Sequence, residues 1–142
     1  MNLLSAILFP ALATIVLAES IVIGYPPANK KIHPGQKLTV QVVQPDSIEG
    51  PIVIGLAIGF SSCENGPCPP PSQSVGTAVY EGPYHPALHH TTPYTFPYEN
   101  FTVVVPSYLT KGKAQLNVVL AGLFGAGDFP SWEAVNQTLI VV

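Results

Sequence analysis

Sixteen prolines and twelve glycines cut this chain of 142 residues into short pieces, and the pieces left between them read as strands. Neither residue is at home inside a helix or a central strand, so the apolar runs that survive are brief. Most of them alternate with period two or form blocks rich in Val and Ile. Residues 21–23 form a first strand, closed by Tyr25-Pro26-Pro27. Leu38, Val40 and Val42 alternate with Thr39, Gln41 and Val43, the pattern of a strand with one buried face. Residues 52–60 are continuously apolar, a central strand with Gly55 and Gly59 as bulge positions. Residues 76–80 make a fourth strand. In residues 100–105, Phe101, Val103 and Val105 face in, while Asn100, Thr102 and Val104 face out. Residues 114–123 are a sixth, with Leu116, Val118 and Leu120 on one face. Residues 135–142 are the last, with Val135, Leu139 and Val141 turned inward. About seven short strands divided by Pro and Gly turns predict an all-β fold, an antiparallel β-sandwich of immunoglobulin-like type. A small β-barrel is the alternative architecture. The Cys–Trp–Cys arrangement of antibody domains is absent.

The chain opens differently. Residues 3–17 are almost unbroken apolar sequence without charge, ending in Val16-Leu17-Ala18, a small-residue cleavage pattern. A core of that length suits a secretory signal peptide over residues 1–18 and is short for a membrane span. The expected mature protein is a single domain, residues 19–142, released outside the cell. The end of the chain, from Thr138 to Val142, is too short for the hydrophobic tail of a lipid-anchor signal, so no membrane anchor is expected.

Charge excludes one class of partner. Charged residues are only 9 % of the chain, Arg is absent, and the formal net charge is −3. A nucleic-acid binder needs a basic face, so no nucleic acid is expected. Cys63 and Cys68 should pair in an oxidising compartment, with Gly66-Pro67 supplying the turn between them. The other reading, half a zinc site, needs two further ligands at suitable spacing. Asn100-Phe101-Thr102 and Asn136-Gln137-Thr138 are glycosylation sequons, which puts Asn100 and Asn136 at the surface of a secreted protein.

Residues 81–99 stand apart. They hold four prolines, three tyrosines and His85, His89 and His90, with no regular pattern. A loop of this length is often functional, and Tyr on a rigid backbone offers contact area at low entropic cost. Tyr84, His85, Tyr94 and Tyr98 are therefore the candidate partner-binding residues. The plain reading of the same stretch is a crossover between sheets, packed by its own aromatics. Catalytic patterns are missing: there is no nucleophile elbow, no His-Glu-x-x-His and no phosphate-cradling glycine loop. Asp128 and Glu133 could act as an acid–base pair, but acids in a turn are usually only solvated. The three histidines lack helical spacing for a metal, and the nearest His to the expected mature terminus is His33, which does not suit a copper oxygenase. Neither catalytic residues, nor a metal, nor a cofactor is expected.

An ordered series of motifs runs through the later two thirds of the chain. Cys63…Cys68-Pro69-Pro70-Pro71 is followed by Gly76-Thr77-Ala78-Val79-Tyr80-Glu81-Gly82-Pro83-Tyr84-His85-Pro86. Then come Pro97-Tyr98-Glu99-Asn100-Phe101-Thr102-Val103-Val104-Val105-Pro106 and Gly112-Lys113-Ala114-Gln115-Leu116-Asn117-Val118. Gly125-Ala126-Gly127-Asp128-Phe129-Pro130 and Asn136-Gln137-Thr138-Leu139 close it. In order and spacing this series resembles the fungal necrosis-inducing secreted protein family of effectors, over roughly residues 37–142. The resemblance implies a non-catalytic protein that binds plant receptor-like immune kinases, suppresses pattern-triggered immunity and can provoke cell death. It implies secretion toward plant tissue; beside it, a monomer is expected, with delivery into host cells as a second station. Two readings from other classes stand beside it. One is a wall-polysaccharide-binding module that uses Trp132 and Tyr94; the other is a hydrolase that uses Asp128 and Glu133.

Overall fold

The computed structural model describes residues 21–45, 50–89 and 96–142, and within them the fold is all-β. The expected signal peptide, His90 and Tyr94 lie outside the described residues. The strands are β1 (Val22–Tyr25), β2 (Lys31–Ile32), β3 (Lys37–Val43), β4 (Ile52–Ser62), β5 (Thr77–Gly82), β6 (Tyr98–Val104), β7 (Gly112–Phe124) and β8 (Phe129–Val141). They form two sheets, a three-stranded one in the order β1-β3-β6 and a five-stranded one in the order β2-β8-β7-β4-β5. This is the antiparallel, immunoglobulin-like sandwich expected from the alternation.

The alternating residues fill the space between the sheets. Leu38, Val40 and Val42 from β3, and Phe101 and Val103 from β6, meet Ile58, Phe60, Leu116, Val118 and Leu120 from β4 and β7. Burying a side chain of this size is worth about 1.5–3 kcal/mol, so this layer supplies the main driving force. Inward and outward positions of residues 100–105 fall as the pattern predicts. Register shifts occur at Val53/Gly55 against β7 and at Ile58/Gly59 against β5, the two glycines expected to mark bulges.

Three points differ from the sequence reading. First, the count is eight strands among the described residues rather than seven. Lys31–Ile32 pairs in parallel with Ile140–Val141, so one short pairing is not antiparallel. Two residues are too few to show a period, which hid this strand. Second, β8 begins at Phe129, not near 135. The Phe-Pro-Ser-Trp segment, read as a turn, is extended and pairs with β7 as far as Phe124↔Phe129. Pro130 is tolerated because β8 has β2 beside it only at the far end, so its outer edge is free there. The turn itself is residues 125–128, with Gly125 (φ 74°) and Asp128 (φ 50°) in the left-handed region and the Asp128 amide donating to Gly125 O at 3.1 Å. Third, β5 is shifted, running to Gly82 rather than ending at Tyr80.

The segment between β4 and β5 is held down as a strap over the outside of the five-stranded sheet. Cys63 and Cys68 are bonded at its start, with Cα atoms 4.8 Å apart. Beyond the disulfide, Gln115 Nε2 donates to Pro69 O at 2.8 Å and to Asn117 Oδ1 at 2.7 Å. Asn117 Nδ2 donates to Ser61 Oγ at 3.0 Å and to Val75 O at 3.1 Å. Gln115 and Asn117 point away from the core, yet Asn117 is 0 % exposed because the strap covers it. Gly59 lies under the same strap, where a Cβ would collide with the carbonyl oxygens of Val75 and Thr77.

Candidate functional site

The strands divide the molecule into two unlike ends. At one end β3 and β7 start, while β4, β6 and β8 finish. All five lysines sit there: Lys30 and Lys31 at β2, Lys37 opening β3, and Lys111 and Lys113 around the start of β7. Four of them are exposed, and Lys30 lies 5.5 Å from the Tyr25 ring. Glu64 joins them in the disulfide loop. The other described acids, Glu81, Glu99, Asp128 and Glu133, occupy the middle of the sheet and the opposite end. A thirteen-residue strand such as β8 spans about 40 Å, so the two charge groups are separated by far more than the ~8 Å screening length.

The acidic half also carries most of the exposed large apolar side chains: Ile52, Ile54, Leu88, Phe96, Phe129 and Trp132. Their positions follow from the registers. Trp132 pairs with Ala121, whose neighbour across β4 is Gly55, all on the outward face. Between them the sheet surface is lined by small residues, so a shallow groove results. Near Trp132 it is bounded by Pro71 and Val75 of the strap and floored by Ala57 and Val119. It continues past Ala121 and Gly55 to Ile54 and Pro83, a hollow of about 540 Å³ that also contains Glu81. Ile54 and Pro83 in turn wall the next hollow, with Gln44, His85 and Pro86.

Of the sequence-derived contact residues, Tyr84, His85 and Tyr98 lie among the described residues, and they differ in exposure. Tyr84 is 2 % exposed and Tyr98 is 7 % exposed, so neither is free to touch a partner, which corrects the reading of them as contact residues. Their aromatic rings belong to the core. Tyr84 packs 6.4 Å from Phe101 and its hydroxyl donates to Val42 O at 3.2 Å, while Tyr98 stacks on His89 at 4.2 Å. Burial raises the Tyr84 hydroxyl pKa well above its ordinary value, and the nearby Glu99 carboxylate adds to this. His85 is exposed, with its amide donating to Glu99 Oε2 at 2.6 Å. In the described part of this segment, Tyr84 is drawn into the core and His89 stacks on Tyr98, with His85 left at the surface.

Asn100 and Asn136 are both exposed on strands, as the sequons require. Asp128 and Glu133 are not brought together. The extended backbone between them carries the two Cα atoms up to about 16 Å apart, and Glu133 Oε1 accepts from the Ile21 amide at 3.2 Å. Among the described residues, no three His, Cys, Asp or Glu side chains are close enough to hold a metal ion. The sequence reading missed two features, the small-residue floor and the polar pair Gln115 and Asn117. The signal for the second was present, since polar residues alternate with Leu116 and Val118 exactly where a solvated face would, and only a covering segment changes their meaning.

Fold and surface together define a small disulfide-strapped β-sandwich whose lysine-free half carries most of the exposed large apolar side chains. Residues 18–140 match the Nis1 family, and the chain belongs to it; this is a family of secreted, necrosis-inducing fungal effectors. No curated protein matches the chain. The sequence resemblance and the family match thus agree at the level of the effector family. Among the described residues, no helix is long and apolar enough to cross a membrane.

Proposed function

We propose that this effector acts by stoichiometric binding to plant receptor-like immune kinases, lowering their signalling without chemistry of its own. The observation that carries the reading is the family match across nearly the whole of the expected mature domain. The adjoining apolar hollows beside Trp132 and Ile54 support it, because grouped apolar surface on a small protein commonly marks a binding site. The protein acts as a monomer, in the space between host cells or inside them after delivery. The test is to express residues 19–142 in leaves, record the elicitor-triggered oxidative burst and recover tagged protein with its kinases. A suppressed burst with immune kinases bound supports the proposal; a normal burst with no kinase recovered ends it.

A second reading has an observation of its own. Trp132 is 64 % exposed beside a flat floor, an arrangement suited to stacking on a sugar ring. Retardation on chitin, glucan or cellulose in affinity electrophoresis, lost in Trp132→Ala, would favour a wall-binding module.

A further inference from the structure

We infer that the groove from Trp132 across β7 and β4 to Pro83 is the partner-docking site, and that its occupant is an extended protein segment with apolar residues flanked by Lys or Arg. This rests on the proposed binding role and assigns it to a surface.

Three observations converge on that occupant. The groove is shallow and runs across the strands. It crosses β8, β7, β4 and β5, about 14 Å at the ~4.8 Å spacing of neighbouring strands, which matches four or five residues of extended chain. Its floor is Gly55, Ala57, Val119 and Ala121, with the largest side chains at the borders, Trp132 at one and Ile54 with Pro83 at the other. Small floor residues let a backbone come close, and a bordering Trp supplies the anchor that dominates many interfaces.

Charge selects the kind of segment. Glu81 is exposed and is, among the described residues, the one carboxylate lining the groove; Glu99 braces the adjoining segment 83–86 through the His85 amide, and Asp128 stands at the tip of the neighbouring hairpin. The five lysines are all at the far end. A basic segment is therefore drawn to the groove and turned away from the other end, whereas an acidic one is drawn to the lysines.

Trp132 is the only tryptophan in the chain, so its fluorescence reports on the groove directly, with no kinase needed. Residues 19–142 would be titrated with an apolar nonapeptide flanked by lysines and with the same peptide flanked by glutamates. A saturating emission change with the first, at least tenfold weaker with the second and with Glu81→Lys, is expected. Equal responses, a preference for the acidic peptide, or tighter binding by chitin or glucan oligosaccharides would overturn the inference. A second measurement uses a receptor kinase domain that binds the wild-type protein. Trp132→Ala and Glu81→Lys should each weaken it at least tenfold, while Lys31→Glu/Lys37→Glu/Lys111→Glu should not, all with unchanged melting temperatures. If the kinase binds and the groove variants match wild type, the docking site is wrong and the kinase reading survives. If no kinase binds wild type but the lysine-flanked peptide does, the reverse holds.

Discussion

Replacing Asn117 by Ala should destabilise this protein as much as a large cavity would, although Asn117 faces away from the core. Its side chain accepts from Gln115 Nε2 at 2.7 Å and donates to Ser61 Oγ at 3.0 Å and Val75 O at 3.1 Å. Each such bond contributes about 1 kcal/mol net, and a buried partner left unpaired costs about 1–3 kcal/mol. Gln115 keeps its bond to Pro69 O, and the Ser61 hydroxyl can rotate, so Val75 O carries most of the penalty. The expected loss is about 3 kcal/mol. At roughly 4 °C per kcal/mol for a domain of this size, the melting temperature falls by about 12 °C. Circular dichroism melting of residues 19–142 reads this. Limited proteolysis adds a local measure, with cleavage expected to move into residues 69–75 as the strap loosens. A fall of less than 4 °C with an unchanged cleavage pattern would refute the view that this polar pair anchors the strap.

Other consequences are more local. Tyr84→Phe should cost about 1 kcal/mol at pH 8 through the lost bond to Val42 O. Alkali works against the wild type: the raised hydroxyl pKa means that folding holds Tyr84 protonated, a contribution present below about pH 10 and lost as pH rises above it, so the gap to the variant should narrow in urea melts above pH 10. Removing the disulfide as Cys63→Ser/Cys68→Ser should cost roughly 2 kcal/mol, since so short a loop gains little from closure. Secreted from a eukaryotic host, the protein should lose mass in two steps when Asn100→Gln and Asn136→Gln are introduced in turn, and intact mass spectrometry showing one unmodified species throughout would remove the glycan expectation.

Much of the fold was legible because burial here follows simple alternation. Phe101, Val103 and Val105 against Thr102 and Val104, or Leu116, Val118 and Leu120 on one face, announce their strands without help from neighbours. What was not legible depends on segments far away in the chain. Gln115 and Asn117 look solvated until the strap covers them. Tyr84 and Tyr98 look like surface aromatics in a proline-rich loop until Phe101 and His89 receive them. Trp132 looks like part of a turn because Gly125, Gly127 and Pro130 crowd the stretch before it, and only the partial cover of β8 by β2 leaves Pro130 on a free edge. The site suffered more than the fold for this reason. An exposed face is defined by what does not pack on it, and that information belongs to the whole topology rather than to any local pattern.

The strap has two anchors of different chemistry, one covalent and one made of amides and a hydroxyl. Only the first responds to the redox state of the surroundings. On passing from an oxidising exterior to a reducing cytosol, Cys63 and Cys68 can part while Asn117 and Gln115 continue to hold residues 69–75 beside Trp132. The surface beside Trp132 should therefore keep its shape when the disulfide is reduced.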